Sequence, residues 1–183
     1  MTQYVALLRG INVGGNNIIK MADLKACLVD AGFEDVTTYI QSGNVLFSSP
    51  ETDVKKIDAK FMAAMDKSFG YKAPVMFRSH AQMKKIVHDA PKGFGTKPDD
   101  YRYDVLFVRE PLTATEALNN VSLREEVDAA AKGDDVLYFW RTMLHITRSH
   151  INKIVGTPMY QNITIRNWNT TTKLLAMMDE RAK

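Results

Sequence analysis

An α+β fold is predicted for this chain, and two observations predict it. Short β-rich runs alternate with helix-periodic segments, and the order of these elements occurs twice. The length of 183 residues adds a bound, allowing one large domain or two small ones. Residues 4–9, Tyr4-Val5-Ala6-Leu7-Leu8-Arg9, are short, apolar and β-rich, as a buried strand is. Residues 21–32 read as a helix with Leu24 and Leu28 on one face and Gly32 as its stop. Residues 36–40 and 45–48 read as strands flanking the turn Gln41-Ser42-Gly43-Asn44. Val54, Ile57, Phe61, Met65 and Phe69 recur at three- and four-residue steps, giving a long amphipathic helix ended by Gly70. Residues 74–77 make a fourth strand. The order is βαββαβ, the ferredoxin-like plan.

A connecting helix over 79–90 and a Gly/Pro/Asp-rich loop over 91–100 follow, and the pattern restarts. Residues 104–108 read as a strand, and 113–131 as helical with a break near Asn119-Asn120. Residues 135–140 and 143–147 read as strands, and 148–155 as a short helix stopped by Gly156 and Pro158. Residues 162–165 give the last strand and 168–181 the last helix. The halves also echo each other in residues. Leu8-Arg9 matches Val108-Arg109, and Phe77-Arg78-Ser79 matches Ile165-Arg166-Asn167. Lys85-Ile86-Val87 and Lys173-Leu174-Leu175 lie at the same offset from their arginines. The predicted architecture is therefore two ferredoxin-like βαββαβ repeats forming one pseudo-symmetric unit with an extra C-terminal helix. Residues 1–90 hold the first repeat and its connecting helix, 91–103 a linker loop, and 104–183 the second repeat and the C-terminal helix.

Composition is that of an ordinary globular chain, 45% hydrophobic and 25% charged. No apolar run approaches the roughly 20 residues of a membrane helix, and no signal-peptide pattern opens the chain. A lone cysteine, Cys27, has no intramolecular partner, so cytoplasm is the expected compartment. The net charge of +3 is too small to imply nucleic acid by itself. Its distribution is more telling. Residues 136–178 carry no Asp or Glu but hold Arg141, Arg148, Lys153, Arg166 and Lys173, where the chain average would place about five acids. Residues 1–22 are also acid-free and hold Arg9 and Lys20. Either strands and loops poor in acids coincide here, or a surface is kept free of carboxylates for an anionic ligand.

The segments Arg9-Gly10-Ile11-Asn12-Val13-Gly14-Gly15, Gln41-Ser42-Gly43-Asn44-Val45 and Arg166-Asn167-Trp168-Asn169-Thr170 carry a resemblance. In these patterns, in their order and in its length, the chain resembles the bacterial proteins grouped as domain-of-unknown-function family 1697. The resemblance spans essentially all residues. It implies a duplicated α+β fold and implies no reaction. The lysine that follows the family's Arg-Asn pattern is matched by Lys173, while Thr171 stands where an aliphatic residue is commoner.

Four segments carry the binding chemistry. The loop from Gly10 to Asn17 lacks the Lys-Ser/Thr ending of a Walker loop and the dinucleotide glycine spacing. It serves either as a plain strand-to-helix connection, as a subunit contact, or as a backbone anion nest from Asn12, Gly14 and Gly15 completed by Arg9 and Lys20. Gln41, Ser42 and Asn44 fit a hairpin turn, yet the two amides also offer paired donors and acceptors. Arg148, with Lys153 nearby, falls at a predicted helix start, where a cation opposes the helix dipole unless an anion sits there. Arg166, Asn167, Asn169, Thr170 and Lys173 surround the start of the last helix, where capping residues and an anion site look alike. Trp168 beside them suits core or interface better than base stacking.

The remaining chemistry is thin. His80, His88, His145 and His150 lack zinc-ligand spacing, and no metal is expected. Cys27 reads as a packed thiol, and Ser42 lacks the nucleophile elbow. Asp99-Asp100 and Asp134-Asp135 read as turn and solvated residues rather than a catalytic pair. The expected function is binding of a phosphorylated or nucleotide-like small molecule in a basic, acid-free cleft, with catalysis open and no cofactor identified. The alternatives are a nucleic-acid-binding protein and a homo-oligomeric or partner-binding module; no membrane contact is expected.

Overall fold

The computed structural model describes residues 1–12 and 18–182. The chain divides into two compact units, Met1–Met83 with Ala176–Lys183, and Lys84–Leu175. The first contains β1 (Thr2–Leu7), α1 (Met21–Asp30), β2 (Glu34–Tyr39), β3 (Asn44–Ser49), α2 (Val54–Phe69) and β4 (Met76–Ser79). Helix α3 (His80–His88) begins in it and ends in the second unit. The strands form one antiparallel sheet in the order β2-β3-β1-β4. Alternation along β1 puts Tyr4 and Ala6 on the face that also carries Val45, Phe47 and Phe77. Leu24 and Leu28 of α1 and Ile57, Phe61 and Met65 of α2 pack into the same cluster. Phe47 stacks on Tyr4 at 5.6 Å and meets Phe33 edge-on at 4.8 Å. The opposite face is shielded too, since Val5, Leu7, Leu46 and Met76 are all buried.

The second unit contains β5 (Tyr101–Val108), α4 (Ala114–Asn120), β6 (Asp128–Lys132), β7 (Val136–Thr142) and β8 (Ile163–Asn167). Helix α5 (Trp168–Arg181) starts there and finishes in the first unit. Its sheet runs β6-β7-β5-β8, again antiparallel throughout. Leu106, Val108, Leu137, Phe139 and Ile163 form a core with Ala114 and Ala117 of α4 and with Ile151 and Ile154. Across the sheet, Phe94 from the 91–100 loop sits edge-on to Tyr103, Tyr138, Trp140 and Trp168 at 4.9–5.9 Å. Gly95 lets that loop close. Its φ is +82°, and a Cβ there would fall 2.2 Å from the Trp168 Nε1. No helix among the described residues is long and apolar enough to cross a membrane.

The second half departs from the predicted elements. The helix expected over 113–131 ends at Asn120, and its distal part is strand β6. A capping box does fix the start of α4, with Thr113 accepting from the Glu116 amide and Glu116 accepting from the Thr113 amide. Ala129-Ala130-Ala131 favours helix by propensity, but cross-strand pairing with Trp140, Phe139 and Tyr138 overrides it. The hairpin partner of β7 is therefore β6, before it in sequence, rather than a strand at 143–147. Residues 143–162 instead form three 3-10 turns, Met143–Arg148, Ile151–Gly156 and Pro158–Asn162. Three-residue periodicity puts Ile151 and Ile154 on one buried edge, and Gly156 with Pro158 prevents propagation into an α-helix.

Candidate functional site

In the first unit, two predicted site segments meet at the C-terminal end of β1. The backbone N–H of Leu8 donates to Gly43 O at 2.7 Å, joining β1 to the 40–43 turn. Gly43 is needed there. Its φ is +77°, and an added Cβ would lie 2.9 Å from Leu8 Cβ and 3.0 Å from Ile11 side-chain atoms. The Tyr71 hydroxyl accepts from Arg9 N at 3.0 Å and donates to Arg9 O at 2.7 Å, pinning the backbone where Arg9 leaves the strand. Asn12 (φ 54°) acts as a clasp. Its Nδ2 donates to Ile19 O and Gln41 O, and its Oδ1 accepts from Ile19 N. Asn44 is buried and gives its Nδ2 to Tyr39 O and Ser42 Oγ, closing the turn from inside. The outward-facing groups are Lys20, Gln41 and Ser42, all exposed, with Arg9 half-buried. Gly14 and Gly15, the predicted nest, lie outside the described residues.

In the second unit, β8 hands Arg166 and Asn167 to the start of α5. Arg166 is buried and donates through Nη1 to Ile165 O at 2.9 Å. Asn167 caps the helix, accepting from Asn169 N at 3.0 Å while its Nδ2 donates to Tyr103 O at 3.0 Å. Thr171 is buried and Thr170 half-buried, whereas Asn169 and Lys173 are exposed. Beside this helix start lies a cavity of about 200 Å³ lined by Tyr101, Arg102, Tyr103, Met143, Trp168 and Asn169, with Asn167 among its walls. Arg102 was no part of the predicted set, yet its half-exposed side chain is the cation of this cavity.

Sequence reasoning also missed the acid that stands behind it. Asp104 is almost fully buried. Arg141 Nη2 lies 3.2 Å from its Oδ2, and Arg102 Nε lies 3.6 Å from the same oxygen. Burial pushes the Asp104 carboxyl up from its ordinary range, against the pull of Arg141, Arg102 and the Asn167 amide. Burial likewise lowers Arg141. Arg141 belongs to the acid-free stretch in sequence, but pairing brings Asp104 from β5 and Asp128 from β6 beside it. The stretch is thus not acid-free in space. Cross-strand register, which no linear window contains, is what supplies the carboxylates.

Arg148 needs a second correction. It closes the first 3-10 turn rather than opening a helix, so the dipole argument for an anion beside it does not apply. Arg148 and Lys153 are exposed on this 3-10 segment.

Groups suited to acid–base work are scattered. His80 Nε2 lies 2.7 Å from Asp179 Oδ1 in the first unit, and Ser122 Oγ lies 3.0 Å from His150 Nδ1 in the second. Tyr138 donates to Ile86 O at 2.6 Å, and burial pushes its hydroxyl pKa up to about 12, so it stays protonated. Cys27 Sγ packs at 3.3 Å from Ser68 Oγ. Among the described residues no three His, Cys, Asp or Glu side chains gather as metal ligands.

Residues 1–138 match the family described as "Protein of unknown function (DUF1697)". Among solved structures, the chain is similar to the conserved bacterial protein SP0830 from Streptococcus pneumoniae. The two are 28% identical with a TM-score of 0.84, over 96% of this chain and 98% of that one. The comparison with curated proteins gives no match. The chain belongs to the DUF1697 family.

Proposed function

We propose that this DUF1697 protein binds a small phosphorylated molecule at the start of α5, with its organic part against the aromatic wall of the adjoining cavity. One observation carries the reading. A cavity with an arginine and three aromatic residues in its lining opens against the first turn of a fourteen-residue helix that has no acid in that turn. Arg102 supplies a planar cation suited to phosphate oxygens, and the helix start supplies N–H groups and a favourable dipole. Tyr101 and Trp168 offer rings to a base or sugar. Asp104 holds Arg102 from behind and keeps one edge of the guanidinium occupied. Lys173, in the second turn of α5, and the buried Arg166 at its entry belong to the same proposal. Among the described residues that line the cavity none is a carboxylate or a histidine, and the activity proposed is recognition. Stacking of nucleic-acid bases on the sheets is less well supported, because Phe47 and Tyr138 are buried.

The test is thermal unfolding with adenosine 5′-monophosphate at fixed ionic strength. A ligand at 100 times its Kd adds about 2.7 kcal/mol, which for this length raises Tm by roughly 5–10 °C. Arg102→Gln is expected to abolish the shift. An equal shift in wild type and Arg102→Gln, or none in either, would reject the site.

We infer further that the two sheets are copies of one ferredoxin-like unit. Equivalent pairings support this. Val5 faces Leu46 and Arg78, and Val105 faces Tyr138 and Arg166. Leu8 N donates to Gly43 O and Val108 N to Asp135 O, both acceptors lying at positive φ. Arg78 and Arg166 each donate through Nη1 to the carbonyl of the preceding residue, at 2.8 and 2.9 Å.

A further inference from the structure

A second cavity, of about 670 Å³, lies wholly within the first unit, at the edge of its sheet. Its volume falls within the range of roughly 300–1,000 Å³ typical of small-molecule sites. Three kinds of chemistry line it. Lys25 of α1 and Arg181 near the end of α5 bring positive charge. Asp35 brings a carboxylate, and Gln3, Thr37 and Ser48 bring neutral polar groups. Met1, Val29 and Val36 bring an apolar surface, of which Met1 and Val29 are exposed.

One atom on each of two of these polar side chains is left unpaired, although Asp35 lies close enough to Arg181 to act on its charge. Arg181 Nη1 and Gln3 Oε1 are both shielded from water and, among the described residues, have no hydrogen-bond partner. Buried donors and acceptors are ordinarily paired, so a lone donor and a lone acceptor in the lining of one cavity call for an occupant. A turn of the guanidinium or of the amide presents either atom to a molecule inside. Asp35 adds a backbone signal. It sits at φ 51°, beside the irregularity in β2–β3 pairing between Glu34 and Thr37. Positive φ is unusual outside glycine, and such positions gather where a side chain must be aimed.

The pattern is that of a zwitterion. A carboxylate satisfies Arg181 and Lys25. An ammonium satisfies Asp35 and Gln3 Oε1. An apolar side chain covers Met1 and Val29. We propose that this cavity binds an apolar α-amino acid or a short peptide ending in one, with Arg181 taking its carboxylate and Asp35 its amino group. This site is separate from the α5-start cavity and does not depend on it.

The experiment is calorimetric titration of L-alanyl-L-leucine into the full chain. Saturable binding is expected, weakened at least tenfold when the carboxylate is made an amide or the amine is acetylated. Arg181→Gln is expected to cost at least tenfold in affinity, and Arg102→Gln nothing. Asp35→Gly guards against a merely unfolded variant, because glycine accepts φ 51°. It should keep or raise Tm and lose the discrimination between free and acetylated amine. No heat up to millimolar dipeptide, equal affinity for the three dipeptide forms, or unchanged affinity in Arg181→Gln would each overturn the proposal.

Discussion

At the level of single residues, chemical type was readable from sequence, but engagement was not. Asn12, Asn44 and Asn167 offer the donors and acceptors a ligand would want. In the fold, their amides clasp a loop, close a turn and cap a helix. Gly43 was legible as a turn residue, whereas its contact with Leu8 and Ile11 was not, since those atoms arrive from another strand. Gly43→Ala combines a positive φ with a clash and should destabilise by about 2–4 kcal/mol, read from urea unfolding. Asp104 permits a prediction with a definite sign. Its native carboxyl pKa is raised, so the folded state holds this proton more tightly than the unfolded chain. Its contribution to stability is therefore fullest below the ordinary value of 3.8 and declines as pH climbs to the raised native value. Denaturation of wild type and Asp104→Asn across that window should show wild type gaining relative to the variant as pH falls. A difference independent of pH would contradict the assignment. Arg141→Met leaves that carboxylate buried without its closest cation and should cost about 3 kcal/mol or more.

At the level of elements, long periodic segments were legible and short ones in the second half were not. α2 carries its apolar stripe over sixteen residues and falls where the periodicity predicts. β6 is five residues with three alanines, and nothing local distinguishes it from the tail of α4. Only β7, arriving as its hairpin partner, decides its conformation. The 143–162 segment mixes β-branched residues with a glycine and a proline, and no regular element satisfies both. The α5 start was legible as a cap. Asn167→Ala removes the cap and the bond to Tyr103 O, so thermal melts should show a loss of about 1–2 kcal/mol. Asn169→Ala, at an exposed position, should change stability by less than about 0.5 kcal/mol while weakening ligand binding. Equal destabilisation by the two substitutions would show that the capping assignment is wrong.

At the level of the whole molecule, a mixed α+β fold was legible from the alternation of strand and helix patterns, and the structure holds two four-stranded antiparallel sheets, ordered β2-β3-β1-β4 and β6-β7-β5-β8. The candidate site was only half legible. Its helix start was readable from Asn167 and Asn169, but Arg102 and Tyr101 join it through strand pairing that a linear pattern does not contain. The central strands β1, β3, β5 and β7 carry the most buried residues of each unit, and their amides should exchange slowest with deuterated solvent. Faster exchange there than in the edge strand β6 would contradict the core assignment. The proposed anion site at the start of α5 is best examined by a ¹⁵N–¹H NMR titration with adenosine 5′-monophosphate at constant ionic strength. Saturable shifts are expected, concentrated at the amides of residues 101–103 and 167–171 and absent in Arg102→Gln. Shifts that spread over exposed lysines without saturating, or that spare both segments, would contradict it.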